Sequence, residues 1–319
     1  MRSVDLVATG GLDVGSVRDS MVSHAVPGSE VAVATEAGLT YRRLLTLGRA
    51  PTEVTLDITS QGITVVLAEG PPPGEPGTLQ EAAEVVTWWF DLDTAPRVVS
   101  RHLEEDPLLG PMIAERPAVR PLRHPDGFEA AIGTVLGQQV SLAAGRLFGA
   151  RLRAAYSPDG GFPATPSVGR SDGGWHGTSD VPDRSLLPFP SPAALASAPV
   201  EELRAAVGLT RSRAATVQAV ARLFEEGFRL DGATDPMEAR RQLLALPGVG
   251  SWTVEYLALR VLGDPDAFPA SDAVIRRALG GLSPPAATAA AEAWRPYRSW
   301  AAAHLWAAAS SSLPVPPSP

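Results

Sequence analysis

The chain reads as an α+β N-terminal domain, an antiparallel sheet with helices, followed by an all-helical domain. Three observations predict this. Alternation of apolar and polar residues at strand period is confined to the first 70 residues, most clearly in Glu53-Val-Thr-Leu-Asp-Ile-Thr59. From Thr78 onward apolar residues recur at helical spacing. Between the two, Pro71-Pro-Pro-Gly74 breaks the chain. With 319 residues, 45% hydrophobic and 19% charged, there is enough chain for two or three domains with buried cores.

In order, Leu12 to His24 is expected to be a helix ended by Pro27-Gly28. Leu39-Thr-Tyr-Arg-Arg-Leu-Leu-Thr-Leu47 follows, and from Glu53 Val54, Leu56 and Ile58 alternate with polar residues at strand period. Ser60-Gln61-Gly62 turns the chain, and Ile63-Thr-Val-Val-Leu-Ala68 returns to give a sheet with one buried face. Helices are expected over 79–90, 95–103, 127–138, 141–156, 192–197, 200–206, 211–226, 235–245, 251–262, 272–280, 285–293 and 296–309. In 211–226 the residues Ala214, Val217, Val220, Ala221 and Phe224 form one apolar stripe. The expected units are an N-terminal domain over 1–76, extending at most to about 115, and a helical domain over 77–309. A Gly, Pro, Ser and Asp-rich stretch over 157–190, holding Trp175 and His176, is expected to be a flexible insertion. Residues 310–319 are an unstructured tail.

Composition excludes several chemistries. The absence of cysteine removes disulfides, iron–sulfur clusters, thiolate zinc sites and cysteine nucleophiles. There is also no lysine, so a lysine Schiff base is impossible. No apolar run approaches the roughly 18 residues of a membrane span, and no signal peptide opens the chain. The expected location is cytoplasmic. The net charge of −8 argues at first sight against a nucleic-acid partner. Residues 1–119, with 8 Arg and 17 acidic residues, carry that acidity; residues 120–319, with 19 Arg and 18 acidic residues, are near neutral.

The informative stretch is Leu243-Leu-Ala-Leu-Pro-Gly-Val-Gly-Ser-Trp-Thr-Val-Glu-Tyr-Leu-Ala-Leu-Arg260. A helix is expected to end near Ala245 and another to start near Ser251. Pro247-Gly248-Val249-Gly250 makes the turn between them, with both glycines free to take positive φ. The amides of Gly248, Gly250 and Ser251 then face outward at a helix N-terminus, where a phosphate oxygen fits without Lys or Arg. A plain glycine joint between two helices is the alternative. Twenty-two residues beyond Gly250, Asp272 closes Phe268-Pro-Ala-Ser-Asp272 and precedes Ala273-Val-Ile-Arg-Arg-Ala-Leu. By local sequence it is a helix cap.

Leu-Pro-Gly-Val-Gly with its following helix, and Phe-Pro-Ala-Ser-Asp opening another, resembles the helix-hairpin-helix DNA glycosylase superfamily. The resemblance implies that the hairpin grips DNA phosphates and that Asp272 is the catalytic carboxylate. Bifunctional members carry a lysine where this chain has Trp252. The endonuclease III and adenine glycosylase branches carry a four-cysteine cluster, which is impossible here. What remains is similar to 3-methyladenine DNA glycosylase II, the AlkA-like branch. Tyr41-Arg-Arg-Leu-Leu-Thr-Leu-Gly48, Phe128-Glu-Ala-Ala-Ile-Gly-Thr-Val-Leu-Gly-Gln-Gln-Val-Ser141, the hairpin's second helix and Trp294-Arg-Pro-Tyr-Arg-Ser-Trp-Ala-Ala-Ala-His-Leu-Trp306 carry this likeness. It implies monofunctional excision of alkylated purines from double-stranded DNA by a nucleoid-associated monomer.

On that resemblance Trp252, Tyr256 and Tyr297 form the base pocket, with core packing as the alternative. Trp252 and Tyr256, four apart, share one helix face. The wedge that fills the gap left by the extruded base is Gln139. Thr210-Arg211-Ser-Arg213 is a helix start, solvated or touching phosphate. Glu255 is expected to be exposed. His124 and His304 have no partner at ligand spacing, so no metal and no other cofactor is expected, except a monovalent cation that family hairpins hold through backbone carbonyls. The alkyl-transfer module of some relatives needs cysteine and is expected to be absent. Two rival readings remain: a non-catalytic damage-sensing module on the same fold, and a protein-binding role for the acidic N-terminal part.

Overall fold

The computed structural model describes residues 2–48, 50–67, 78–158 and 186–310. Five strands, β1 (Arg2–Val7), β2 (Glu30–Ala34), β3 (Gly38–Leu47), β4 (Ala50–Thr59) and β5 (Gly62–Leu67), form one antiparallel sheet in the order β1-β5-β4-β3-β2. Helix α1 (Val14–His24) lies between β1 and β2 in sequence, capped by Asp13. Strands β1 and β2 were not expected. Both are edge strands, and β1 pairs with β5, far along the chain. Along β3, inward residues Leu39, Tyr41, Arg43, Leu45 and Leu47 alternate with less buried ones, as a sheet with one buried face requires.

The helical part runs α2 (Leu79–Trp89), α3 (Pro96–Leu103), α4 (Leu109–Glu115), α5 (Gly127–Gly137), α6 (Leu142–Tyr156), α7 (Pro192–Ser197), α8 (Val200–Val207), α9 (Arg211–Glu225), α10 (Pro236–Leu244), α11 (Ser251–Leu257), α12 (Ala273–Ala278), α13 (Pro284–Ala290) and α14 (Arg298–Ser310). Helix α4 is short, with Pro107 just before it and Pro111 in its first turn, so its sequence carries little helical signal. The expected 251–262 helix is α11 continued by one π-turn over Ala258–Leu262.

The boundary at residue 76 is too early. Ala82, Val86, Trp89 and Phe90, in and just after α2, share one core with the sheet residues Leu56, Ile58, Ile63 and Val65. Arg120, past α4, donates to the carbonyls of Thr9, Gly11 and Asp91. The sheet unit therefore includes α2. A second, larger core joins α3 to α14. The proposed insertion over 157–190 falls mostly outside the described residues, with Trp175 and His176. Its described ends are packed rather than loose. Ser157 and Leu186 are buried, the Leu187 amide donates to Gly28, and Phe189 meets Phe128 edge-on. Residues 311–319 lie outside the described residues; Ser310 ends α14.

One charged cluster is buried between the two units. Arg43 of β3 donates to Glu129 Oε2 at 2.7 Å, and Arg153 of α6 donates to Glu129 Oε1 at 2.5 Å. Glu30 lies 3.5 Å from Arg43. Burial pushes the Glu129 carboxyl up, but Arg43 and Arg153 outweigh it and hold the carboxyl well below its usual range. A charged residue on the inward period of β3 is thus explained by a partner on α5.

Candidate active site

Asp272 caps α12, as its local sequence suggests. Its Oδ1 accepts from the amides of Val274 at 3.0 Å and Ile275 at 3.1 Å. Two indoles address the same carboxylate. Trp306 Nε1 donates to Oδ1 at 3.1 Å, and Trp252 Nε1 donates to Oδ2 at 3.1 Å. All four contacts are donors, which a carboxylate can accept together. Oδ1 takes three of them. Oδ2 takes one and keeps acceptor capacity for an incoming group.

The loop that delivers Asp272 is fixed from behind. Glu255 is half-buried, not exposed as expected, because its carboxylate accepts from Arg240 Nε at 2.9 Å and from the Phe268 amide at 3.1 Å. Arg240 also donates to Asp264 at 2.6 Å. The segment 264–272 is therefore tied at Asp264 to α10 and at Phe268 to α11.

Trp252 and Tyr256 share the face expected of them. Their rings stack at 5.3 Å between centroids and 21° between planes. That spacing leaves no room for a third ring between them, so a base would lie against the pair. Trp306 meets Tyr256 edge-on at 6.0 Å. Arg260 sits 5.8 Å from the Tyr256 ring.

Tyr297 does not join this group. It lies just before α14, nine residues from Trp306, which is about 13 Å along a helix axis. Its ring packs edge-on to His102 at 5.6 Å, and it lines a separate cavity of about 220 Å³ with Arg123, Asp264 and Trp300. The aromatic that α14 contributes is Trp306. Both rings lie in the C-terminal stretch 294–306, and the one that reaches Asp272 is Trp306, not Tyr297. Its indole N–H, able to reach a carboxylate across the helix pair, is what distinguishes it.

The hairpin joins α10 to α11. Gly248 takes φ +82°, and a Cβ there would meet Thr216 Oγ1 at 2.2 Å. Gly250 is extended at φ −109°, ψ 177°, with open space where a Cβ would be. Only Gly248 therefore uses the left-handed region; Gly250 keeps the outer surface bare. Gly248, Gly250 and Ser251 are exposed, and among the described residues their amides make no hydrogen bond.

Gln139 follows α5 in the turn before α6. It is exposed and takes φ +52°, rare for a residue with a side chain. Its neighbour Gln138 turns inward and donates to Gly248 O and Thr253 Oγ1. Arg211 is exposed and pairs with Glu201 at 3.2 Å, whereas Arg213 donates to the Gln138 carbonyl.

His124 is partly buried and His304 is buried. Burial lowers the first to about 3, and burial with Arg116 nearby lowers the second to about 4. No group of three or more His, Asp or Glu among the described residues is placed to hold a metal. Among the same residues no helix is long and apolar enough to cross a membrane.

The fold and this geometry agree with known proteins. The family model "HhH-GPD superfamily base excision DNA repair protein" matches residues 132–295, and "AlkA N-terminal domain" matches 4–125. DNA-3-methyladenine glycosylase 2 of Escherichia coli is 30% identical over 278 residues, covering 86% of this chain and 88% of that protein. A probable bifunctional transcriptional activator/DNA repair enzyme AlkA of Mycobacterium tuberculosis is 39% identical over 224 residues; the match covers 68% of this chain but only 40% of that longer protein. The 3-methyladenine DNA-glycosylase of Archaeoglobus fulgidus has the same fold, with a TM-score of 0.73 at 20% identity over 97% of this chain and 98% of that one. The hairpin and the helix opened by Asp272 thus stand in a family context as well as a geometric one, and the chain belongs to the HhH-GPD superfamily of base excision DNA repair proteins, with an AlkA-type N-terminal domain.

Proposed function

We propose that this chain is a monofunctional DNA glycosylase of base excision repair, hydrolysing the N-glycosidic bond of alkylated purines in double-stranded DNA. The purines are of the 3-methyladenine and 7-methylguanine type, and the product is an abasic site in an intact strand. The observation that carries this is Asp272: a carboxylate held by four donors, walled by Trp252, Trp306 and Tyr256, beyond a hairpin of bare amides. A sensing module would need no such carboxylate.

The hairpin amides bind phosphate, and Gln139 enters the stack as the damaged nucleotide leaves it. The extruded base lies against the aromatic group. An alkylated, cationic purine is attracted there by the π faces, which a neutral base is not. As the C1′–N bond breaks, the base departs with the bonding electrons and positive charge grows on C1′ and O4′. Asp272 Oδ2 faces that charge and orients the water whose oxygen bonds to C1′. With no lysine, no enzyme imine forms through a side-chain amine, so the strand stays whole.

A monovalent cation at the hairpin would be held by carbonyls. Those of Leu246, Pro247 and Gly248 already accept from Val249, Thr216 and Gln138, each with a lone pair to spare. These residues fit a weakly held ion that anchors phosphate. The protein acts as a monomer on duplex DNA in the bacterial cytoplasm.

The test is incubation with methylated duplex, chromatography of free bases and inspection of the strand. Methylated purines should appear with the strand uncut. Absence of any free base while the protein binds duplex contradicts the proposal. A borohydride-trappable protein–DNA adduct contradicts its monofunctional part.

A further inference from the structure

We propose that Gln138 and Arg213 are positioning residues that fasten the wedge turn to the phosphate-binding hairpin, so that grip and insertion occur in one register. The proposal rests on the glycosylase reading for its consequence, but not for its geometry.

Three elements meet at this point. Gln138 ends α5, and its side-chain amide reaches across to the hairpin. Both its N–H groups are used, on Gly248 O at 3.1 Å and on Thr253 Oγ1 at 2.9 Å. Thr253 is 2% exposed, so the second bond is fixed inside α11. Arg213, on the first turn of α9, donates to the backbone carbonyl of the same Gln138. Three residues on, Thr216 donates to Pro247 O at 3.0 Å and occupies the space a Cβ at Gly248 would need. Helix α9 thus holds both turns, and Gln138 holds them to each other.

The clamp has something to hold. Gln139 sits at φ +52°, a conformation that costs free energy for a residue with a side chain and persists only where its neighbours enforce it. Bonds on both sides of the preceding residue supply that enforcement. Without them the turn relaxes and the Gln139 side chain loses its direction.

The clamp therefore predicts an effect on extrusion, separable from chemistry. In Gln138→Leu, the hydrogen-bonded hairpin amides of Val249 and Val254 should exchange hydrogen about tenfold faster in the free protein, because two bonds that hold the hairpin are lost. Base release should fall at least about tenfold on a well-paired lesion, and much less on one flanked by mismatches, where extrusion is cheap. Gln138→Glu keeps the length but cannot donate to Gly248 O, so it should behave like Gln138→Leu. Arg213→Lys keeps a donor and should restore most of what Arg213→Met loses. Thr253→Val, which removes one acceptor, tests the same link if Gln138 variants fold poorly.

Unchanged hairpin exchange in folded Gln138→Leu and Thr253→Val overturns the proposal. So does an equal loss of base release on paired and mismatched sites, which is what a merely structural role gives. If the wild type releases no base from either DNA, the glycosylase reading fails, while the exchange data still decide whether the two turns are coupled.

Discussion

Asp272 caps α12, and in the proposed reading the same carboxylate is the reactive one. Oδ1 is committed to α12 and Trp306, which fixes the group, and Oδ2 is left with a single donor from Trp252. Losing the Trp306 donor and wall should lower base release by about ten- to a hundredfold, whereas Tyr297→Phe should leave it within about twofold, since Tyr297 lies at a different cavity. Single-turnover base release measures both, and an equal loss in the two variants would contradict the assignment. The Asp272 cap and the shared face of Trp252 and Tyr256 were legible because a cap and a spacing of four are local features. Trp306 was not, since its role depends on how α14 packs on α12, and no local pattern states which of several aromatics meets a carboxylate across a helix pair.

Among the elements, the hairpin separates two glycine roles that sequence treats alike. Gly248→Ala forces a Cβ against Thr216 in left-handed backbone and should cost about 1–2 kcal/mol or more in urea denaturation. Gly250→Ala meets open space and should leave stability unchanged while weakening duplex binding several-fold, because the methyl group projects where phosphate approaches. Equal stability of the two variants would refute this division. The paired strands β4 and β5 and the long helices were readable from periodicity. Strands β1 and β2 and helix α4 were not, because they are short and lie at edges or beside prolines, where pairing partners far along the chain decide the conformation.

For the whole molecule, buried charge links the sheet to α5 and α6, the helices on either side of Gln139. Glu129→Gln leaves Arg43 and Arg153 without their shared carboxylate and should cost about 3–5 kcal/mol, read from the urea midpoint. A loss under about 1 kcal/mol would mean that the cluster is not a structural link. His124 and His304, lowered by burial to about 3 and about 4, are neutral when folded and take protons only on unfolding. Each therefore withdraws stability as pH falls below the ordinary histidine value. Between pH 7 and pH 5 the pair should cost about 2 kcal/mol each. A flat stability profile over that interval would contradict their burial. Neither the cluster nor the histidines' surroundings was visible in sequence, since Arg43 and Glu129 are 86 residues apart. The central claim is that Asp272 performs the chemistry, and the most direct measurement is release of free bases from methylated duplex by wild type beside Asp272→Asn, with duplex affinity measured on the same samples. The expected result is methylated purine released by the wild type and a loss of at least about a hundredfold in Asp272→Asn at unchanged affinity. Full activity in Asp272→Asn, or no release by the wild type while it binds, would contradict it.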